Sequence, residues 1–176
     1  MSIAFPKSGA EIPAGLPLPH VAKVLHWLTA LLVLGLFATG VTMKQLGQGP
    51  AADLMHLGHK TTGVLLLCVV LVRIGYRLFA QVTARWQKGA ASRPVHALLY
   101  LVLLVVPLLG WAGASGFGSR QLLFGFSLPE IWSPEAGHAE LLLLSHAWLA
   151  FGLIALVVVH IGLALGDYLV GDSGAD

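Results

Sequence analysis

The stretch HAWLAFGLIALVVVH, residues 146 to 160, is apolar except for a histidine at each end. On a helix, at ~100° and ~1.5 Å per residue, those fourteen steps return His160 to within about 40° of His146 and carry it roughly 21 Å along the axis. Both rings then face one side of one helix. If the segment crosses a hydrocarbon slab ~30 Å thick, each ring lies just inside one edge. Ionisable side chains are costly there and are retained for function. Two further histidines match these depths when successive spans run in opposite directions: His26 opens the first at the level of His160, and His59 opens the second at the level of His146. Two cross-helix pairs result, His26 with His160 and His59 with His146, drawn from three helices. Facing neutral imidazoles inside a bundle can hold an iron porphyrin, one nitrogen on each axial position. With both positions filled, the metal shuttles single electrons and does not bind oxygen. The other ring nitrogen of each histidine should donate to a carbonyl or hydroxyl on its own helix, which fixes the tautomer.

The elements that must position these rings follow from composition. Of 176 residues, 57% are hydrophobic and 10% charged, beyond what a water-soluble domain of this size buries. Four continuous apolar runs, near Val21 to Met43, His59 to Phe79, Val95 to Ser115 and Leu141 to Leu165, each approach the ~20 residues needed to span a bilayer as a helix. They do not alternate as barrel strands would, and a helix satisfies its own backbone in lipid. The expected fold is an all-α transmembrane four-helix bundle with two haems in its core. The first run starts late for a signal peptide and is expected to remain as a span. Residues 1–20, with four prolines, read as an arm, residues 21–168 as the membrane domain and 169–176 as a tail. Seven of the ten lysines and arginines fall on the face holding both termini and three on the other, so the termini are expected in the cytoplasm. The loop from Gly116 to His138 should lie at the outer interface, with Phe124, Phe126 and Trp132 at headgroup level.

Phase extends the pattern. Gly40 lies fourteen residues after His26, and Arg73 fourteen after His59, each on its histidine's helix face at the depth of the opposite pair. Gly40 leaves room for a flat macrocycle. Arg73 offers a cation to the carboxylates of a porphyrin, or snorkels to the interface. His56, one turn before His59, is the rival ligand there. His96 sits at the inner level as a quinone, propionate or interface contact, and His20 and His138 flank spans in polar surroundings. A zinc site would need a third converging ligand, and none is expected at either depth. Lone Cys68 excludes a CxxC site and reads as apolar filler. No buried carboxylate accompanies Ser145 and His146 for a hydrolytic triad, and nucleotide-binding glycine motifs are absent.

From about Ala22 to Leu165 the chain resembles the prokaryotic cytochrome b561 family of four-helix, di-haem membrane cytochromes. The resemblance rests on LHWLTA in the first span, HKTTG followed by VRIGYR in the second, HALLYLVLLVVPLLGW in the third, LFGFSLP in the outer loop and the paired His146 and His160. It implies two haem b groups ligated by His26, His59, His146 and His160, with HKTTG favouring His59 over His56. It also implies single-electron exchange between a quinone such as ubiquinone near the inner face and an outer donor, as in members acting as superoxide:ubiquinone oxidoreductases. The alternative role is a haem-bearing anchor and electron-relay subunit for a periplasmic redox protein. Expected surroundings are the lipid bilayer of a bacterial inner membrane, with no nucleic acid. Lys60 and Arg120 would lend the outer face the positive charge that attracts an anion such as superoxide. Members continue past the last ligand with a basic tail, whereas this chain reads IGLALGDYLVGDSGAD. Inner-site candidates are therefore Arg73, Arg77, His96 and Tyr168.

Overall fold

The computed structural model describes residues 18–82, 93–133 and 137–172. Four helices account for most of them: α1 (Leu18–Gln45), α2 (Pro50–Val82), α3 (Arg93–Gly116) and α4 (Ala139–Asp172). Each contains a segment long and apolar enough to cross a membrane, with mean hydropathy from 2.0 to 2.5. Their outward faces are lipid-like, since Trp27 is 71% exposed and Trp148 70%. Helices wrapped in apolar side chains belong in hydrocarbon, where no water competes for the backbone. The helices run longer than the apolar runs alone suggest. α2 starts nine residues before His59, so that histidine lies within the helix instead of opening it, and α4 continues past the start expected for the tail.

The core is small. Val33 of α1, Leu66 and Val70 of α2, Leu99, Val102, Leu103 and Val106 of α3 and Leu153 of α4 pack at its centre. Helices α3 and α4 approach closely along a seam of small residues, because Gly110, Gly113 and Gly116 recur every third position of α3. A Cβ on Gly113 would stand 2.6 Å from Leu143 Cδ2, and one on Gly116 would stand 2.8 Å from Ala139 Cβ. Without a hydrophobic drive between helices in lipid, such close van der Waals packing holds them together. Helices α1 and α4 meet instead through large rings, Phe37 edge-on to Phe151 at 5.1 Å. That side of the bundle therefore has room for something else. Cys68, expected as packing filler, is exposed.

Residues 117–133 of the α3–α4 connection fold back on the helix ends. Fully buried Ser115 accepts from the Ile131 amide at 2.9 Å. Trp111 donates to the Pro129 carbonyl, the Leu123 amide donates to Thr61 of α2, and Arg120 pairs with Glu130 at 3.5 Å. Lys60 donates to the carbonyl and hydroxyl of Ser119, each at 2.9 Å. Lys60 and Arg120, expected as anion-attracting charges, also tie down this loop. Its tip is a 3-10 turn, Leu123–Gly125, with Phe124 in the left-handed region at φ 64° and 90% exposed.

Candidate haem sites

The four spaced histidines meet as two pairs. The rings of His59 and His146 have centroids 6.1 Å apart, and those of His26 and His160 are likewise 6.1 Å apart. A metal between two imidazoles, with metal–nitrogen bonds of ~2.0 Å and each ring centre ~1.1 Å behind its nitrogen, needs roughly 6.3 Å. Interplanar angles of 85° and 73° are compatible, since rotation about the metal axis is free. The pairs stand fourteen residues apart along α4, roughly 21 Å by helical rise. Below, the His59–His146 pair is called loop-side and the His26–His160 pair terminal-side.

The loop-side pair borders a cavity of about 670 Å³, within the ~300–1,000 Å³ typical of cofactor and ligand sites. Its walls are almost wholly apolar, with Phe37, Leu66 and Leu153 among them, and Lys44, His56 and Glu140 are the charged or titratable groups lining it besides the pair. Helices on either side are pared back for the rings. A Cβ on Gly40 would approach His59 Cε1 to 3.3 Å, and one on Gly110 would approach His146 Cε1 and Nδ1 to 3.1 Å. Gly63, one turn beyond His59, lines the same cavity and faces open space. His56 is exposed at the rim, and His59 is the residue opposed to His146.

Hydrogen bonds set the loop-side tautomers. His146 Nδ1 lies 2.8 Å from the Val106 carbonyl, which can only accept, so Nδ1 carries the proton and Nε2 keeps its lone pair. The carbonyl belongs to a turn of α3 in which Gly110 carries no side chain against the His146 ring, so backbone meets the ring directly. His59 Nδ1 lies 3.1 Å from Thr39 Oγ1, whose own proton is directed at the carbonyls of Gly35 and Leu36, each at 3.0 Å. His59 therefore donates as well. Both partners sit on neighbouring helices, α1 and α3, and not on the histidine's own helix as expected. The cross-helix bond aims each ring from outside its own backbone.

The terminal-side pair is framed differently. Arg73, fourteen residues beyond His59 on α2, reaches His26 Nδ1 at 3.0 Å. The guanidinium of Arg73 and that of Arg77 each lie 5.3 Å from the ring centre of Tyr100, a cation–π geometry. His96 stands 5.0 Å from His160. This places a third imidazole at the inner level expected for His96, and among the described residues no group of three or more metal-binding side chains is placed to hold an ion. Tyr168 is 71% exposed, and His20 and His138 are exposed.

The family profile of prokaryotic cytochrome b561 matches residues 18–172. The chain belongs to the prokaryotic cytochrome b561 family. Cytochrome b561 homolog 2 of Escherichia coli (strain K12) is 27% identical over 158 residues, covering 85% of this chain and 84% of the relative. Cytochrome b561 homolog 1 of the same organism is 29% identical over 157 residues, covering 83% and 86%. Cytochrome b562 of Cereibacter sphaeroides is 35% identical over 107 residues, covering 54% and 66%. This cytochrome b561 family member is thus a multi-pass membrane protein of an electron-transfer family that binds haem b. At the loop-side pair the residues fit that cofactor: two opposed rings with free Nε2 lone pairs, an apolar cavity of suitable size and bare backbone beside the rings. Gly110, Gly63, Thr39 and the Val106 carbonyl were not anticipated from the sequence. A repeated glycine in an apolar helix signals only close approach, and a carbonyl leaves no mark at all.

Proposed function

We propose that this family member conducts single electrons through the membrane by way of two haem b groups, one between His59 and His146 and one between His26 and His160. The reading is carried by the two ring pairs, each 6.1 Å between centroids and fourteen residues apart on α4. Bound there, each haem supplies a one-electron iron couple with no vacant coordination position. The chain's part is to hold and orient. Val106 and Thr39 fix the loop-side imidazoles, Gly40, Gly63 and Gly110 make room, and Phe37, Leu66 and Leu153 exclude water. Arg73 supplies positive charge at the terminal-side pair.

The partners proposed are superoxide on the outer side and a membrane ubiquinone, with both termini and the arm of residues 1–20 in the cytoplasm and the inner membrane as location. Two superoxide ions would each lose one electron and leave as dioxygen, while one quinone gains both electrons and two protons. An alternative is a relay subunit whose periplasmic partner docks on the pinned outer loop, where Phe124 and Phe126 are 90% and 70% exposed. Purified chain decides between them. Superoxide-driven quinone reduction without a partner supports the first reading, and haem spectra without turnover until a partner is added support the second. Two low-spin haems per polypeptide are expected. Replacing His59 or His146 should abolish one haem, and replacing His26 or His160 the other; any other pairing refutes the assignment.

A further inference from the structure

The two histidine pairs differ in what faces Nδ1 of the ring on the partner helix, His59 or His26. At the loop-side pair both Nδ1 atoms donate, to the Val106 carbonyl and to the Thr39 hydroxyl, so both Nε2 lone pairs are free for a metal. At the terminal-side pair the neighbour of His26 Nδ1 is Arg73, 3.0 Å away. A guanidinium has five donors and no acceptor. His26 Nδ1 must therefore accept, and a neutral His26 then carries its proton on Nε2, the nitrogen the proposed site offers to iron. For a neutral imidazole, ligation through Nε2 and this hydrogen bond exclude each other: for the Nε2 lone pair to reach a metal, the proton must pass to Nδ1 and Arg73 must withdraw.

The structure also shows where Arg73 has company. Arg77 follows one turn later on α2, and the two guanidinium groups lie at equal 5.3 Å distances from the Tyr100 ring. Two cations so placed suit a pair of carboxylates, which arginine binds with fork-like geometry. The one ion pair found among the described residues, Arg120 with Glu130, belongs to the loop at the other end of the bundle.

We propose that Arg73 locks the His26 tautomer: the loop-side pair accepts an iron porphyrin as it stands, whereas the terminal-side pair accepts one only when a porphyrin carboxylate draws Arg73 from His26, with Arg77 alongside. This rests on the assignment of the second haem to His26 and His160. It makes the terminal-side site selective for a porphyrin that carries free carboxylates, and it makes that site the second to fill.

The test uses the full chain in membranes of haem-deficient cells, titrated with haem and separately with its dimethyl ester, which keeps the iron and ring but has no free carboxylate. Low-temperature bands missing from His59→Ala and His26→Ala assign the two sites. Wild type should fill the loop-side site first and with either compound, and should bind the ester at the terminal-side site at least about tenfold more weakly than haem, the effect of one lost charge-assisted contact. Arg73→Met should lift the lock, so that the ester binds the terminal-side site more tightly than in wild type and the preference for haem collapses. Loop-side filling reports that a variant is folded, and Arg73→Gln repeats the test if the methionine variant does not fill. Equal terminal-side binding of both compounds by wild type overturns the proposal. So does a loss of both compounds alike in a folded Arg73 variant, which would make Arg73 an anchor and not a lock. A wild type that takes no haem between His26 and His160 refutes the underlying assignment instead, and is recognised because His26→Ala then removes no band.

Discussion

Replacing Gly110 by alanine tests whether the loop-side ring is held as tightly as the geometry implies. The added Cβ would stand 3.1 Å from both Cε1 and Nδ1 of His146, against a comfortable carbon–carbon separation of ~3.5–4.0 Å. The ring must therefore retreat by roughly 0.4 Å or more. It has little freedom to do so: its Nδ1 is 2.8 Å from the Val106 carbonyl, and retreat stretches that bond toward the ~3.2 Å limit of a good one. Overpacking of this kind costs about 1–3 kcal/mol, offset by about 1 kcal/mol for alanine over glycine within a helix. The fold should survive. Disturbing a ligand's orienting partner typically weakens metal binding by about 10–100-fold, so the haem proposed for the loop-side pair should be lost on dilution while the one proposed for the terminal-side pair remains. Haem per polypeptide and the low-temperature spectrum read this directly. Gly40→Ala, whose Cβ would sit 3.3 Å from His59 Cε1, should show a weaker version, and Gly152→Ala, with nothing within 4 Å, none. Retention of both haems at wild-type affinity in Gly110→Ala, or selective loss of the terminal-side haem, would refute the reasoning.

Thr39→Val removes the acceptor of His59 Nδ1 while keeping side-chain shape, and should weaken the loop-side haem by about tenfold with little change in helicity, measured by haem titration and circular dichroism. His56→Ala should keep both haems where His59→Ala loses one, since His56 lies at the cavity rim and His59 faces His146; spectra of the two variants decide it. Ser115→Ala leaves the Ile131 amide without its 2.9 Å partner and should destabilise the α3–α4 loop by about 1–3 kcal/mol, seen as faster proteolysis between residues 117 and 133. Phe124→Gly relieves a left-handed backbone at φ 64° and should raise thermal stability by up to about 1 kcal/mol; a drop instead would mean that the exposed ring packs against lipid or a partner.

What could be read in advance depended on periodicity. Four apolar runs translate into four helices because a bilayer dictates length, and His146 and His160 must share a face because helical phase is rigid. Arg73 reaching His26 and Gly40 backing His59 follow from the same rule applied twice. Relations between helices could not be read that way. That His146 donates to α3, that Gly110 and not another glycine faces it, and that His96 comes within 5.0 Å of His160 depend on how the helices rotate against one another. Intrahelical phase leaves that rotation undetermined. Charge is legible in another way: the sign of Lys60 is plain from the sequence, but that it fastens the Ser119 turn depends on how the loop folds back.

The bundle is built unequally, and the inequality explains why cofactor and fold should be inseparable on one side only. Along α3 and α4 the glycine seam brings backbones into contact, so that pair is held by its own packing. On the α1 side the helices are kept apart by facing rings, Phe37 against Phe151 and imidazole against imidazole, around a cavity of about 670 Å³. A group that fills this cavity binds the folded arrangement and not the dispersed helices, so its binding energy adds to the association of α1 with the rest. Removing the loop-side haem, by His146→Ala for example, should therefore loosen α1 and the end of α2 that carries His59 before it disturbs the α3–α4 pair. Hydrogen exchange of the holoprotein and this variant in detergent should show faster exchange concentrated in residues 33–45 and 50–63, with 99–116 and 141–156 little changed. Uniform loosening of all four helices would show that the seam does not stand without the cofactor.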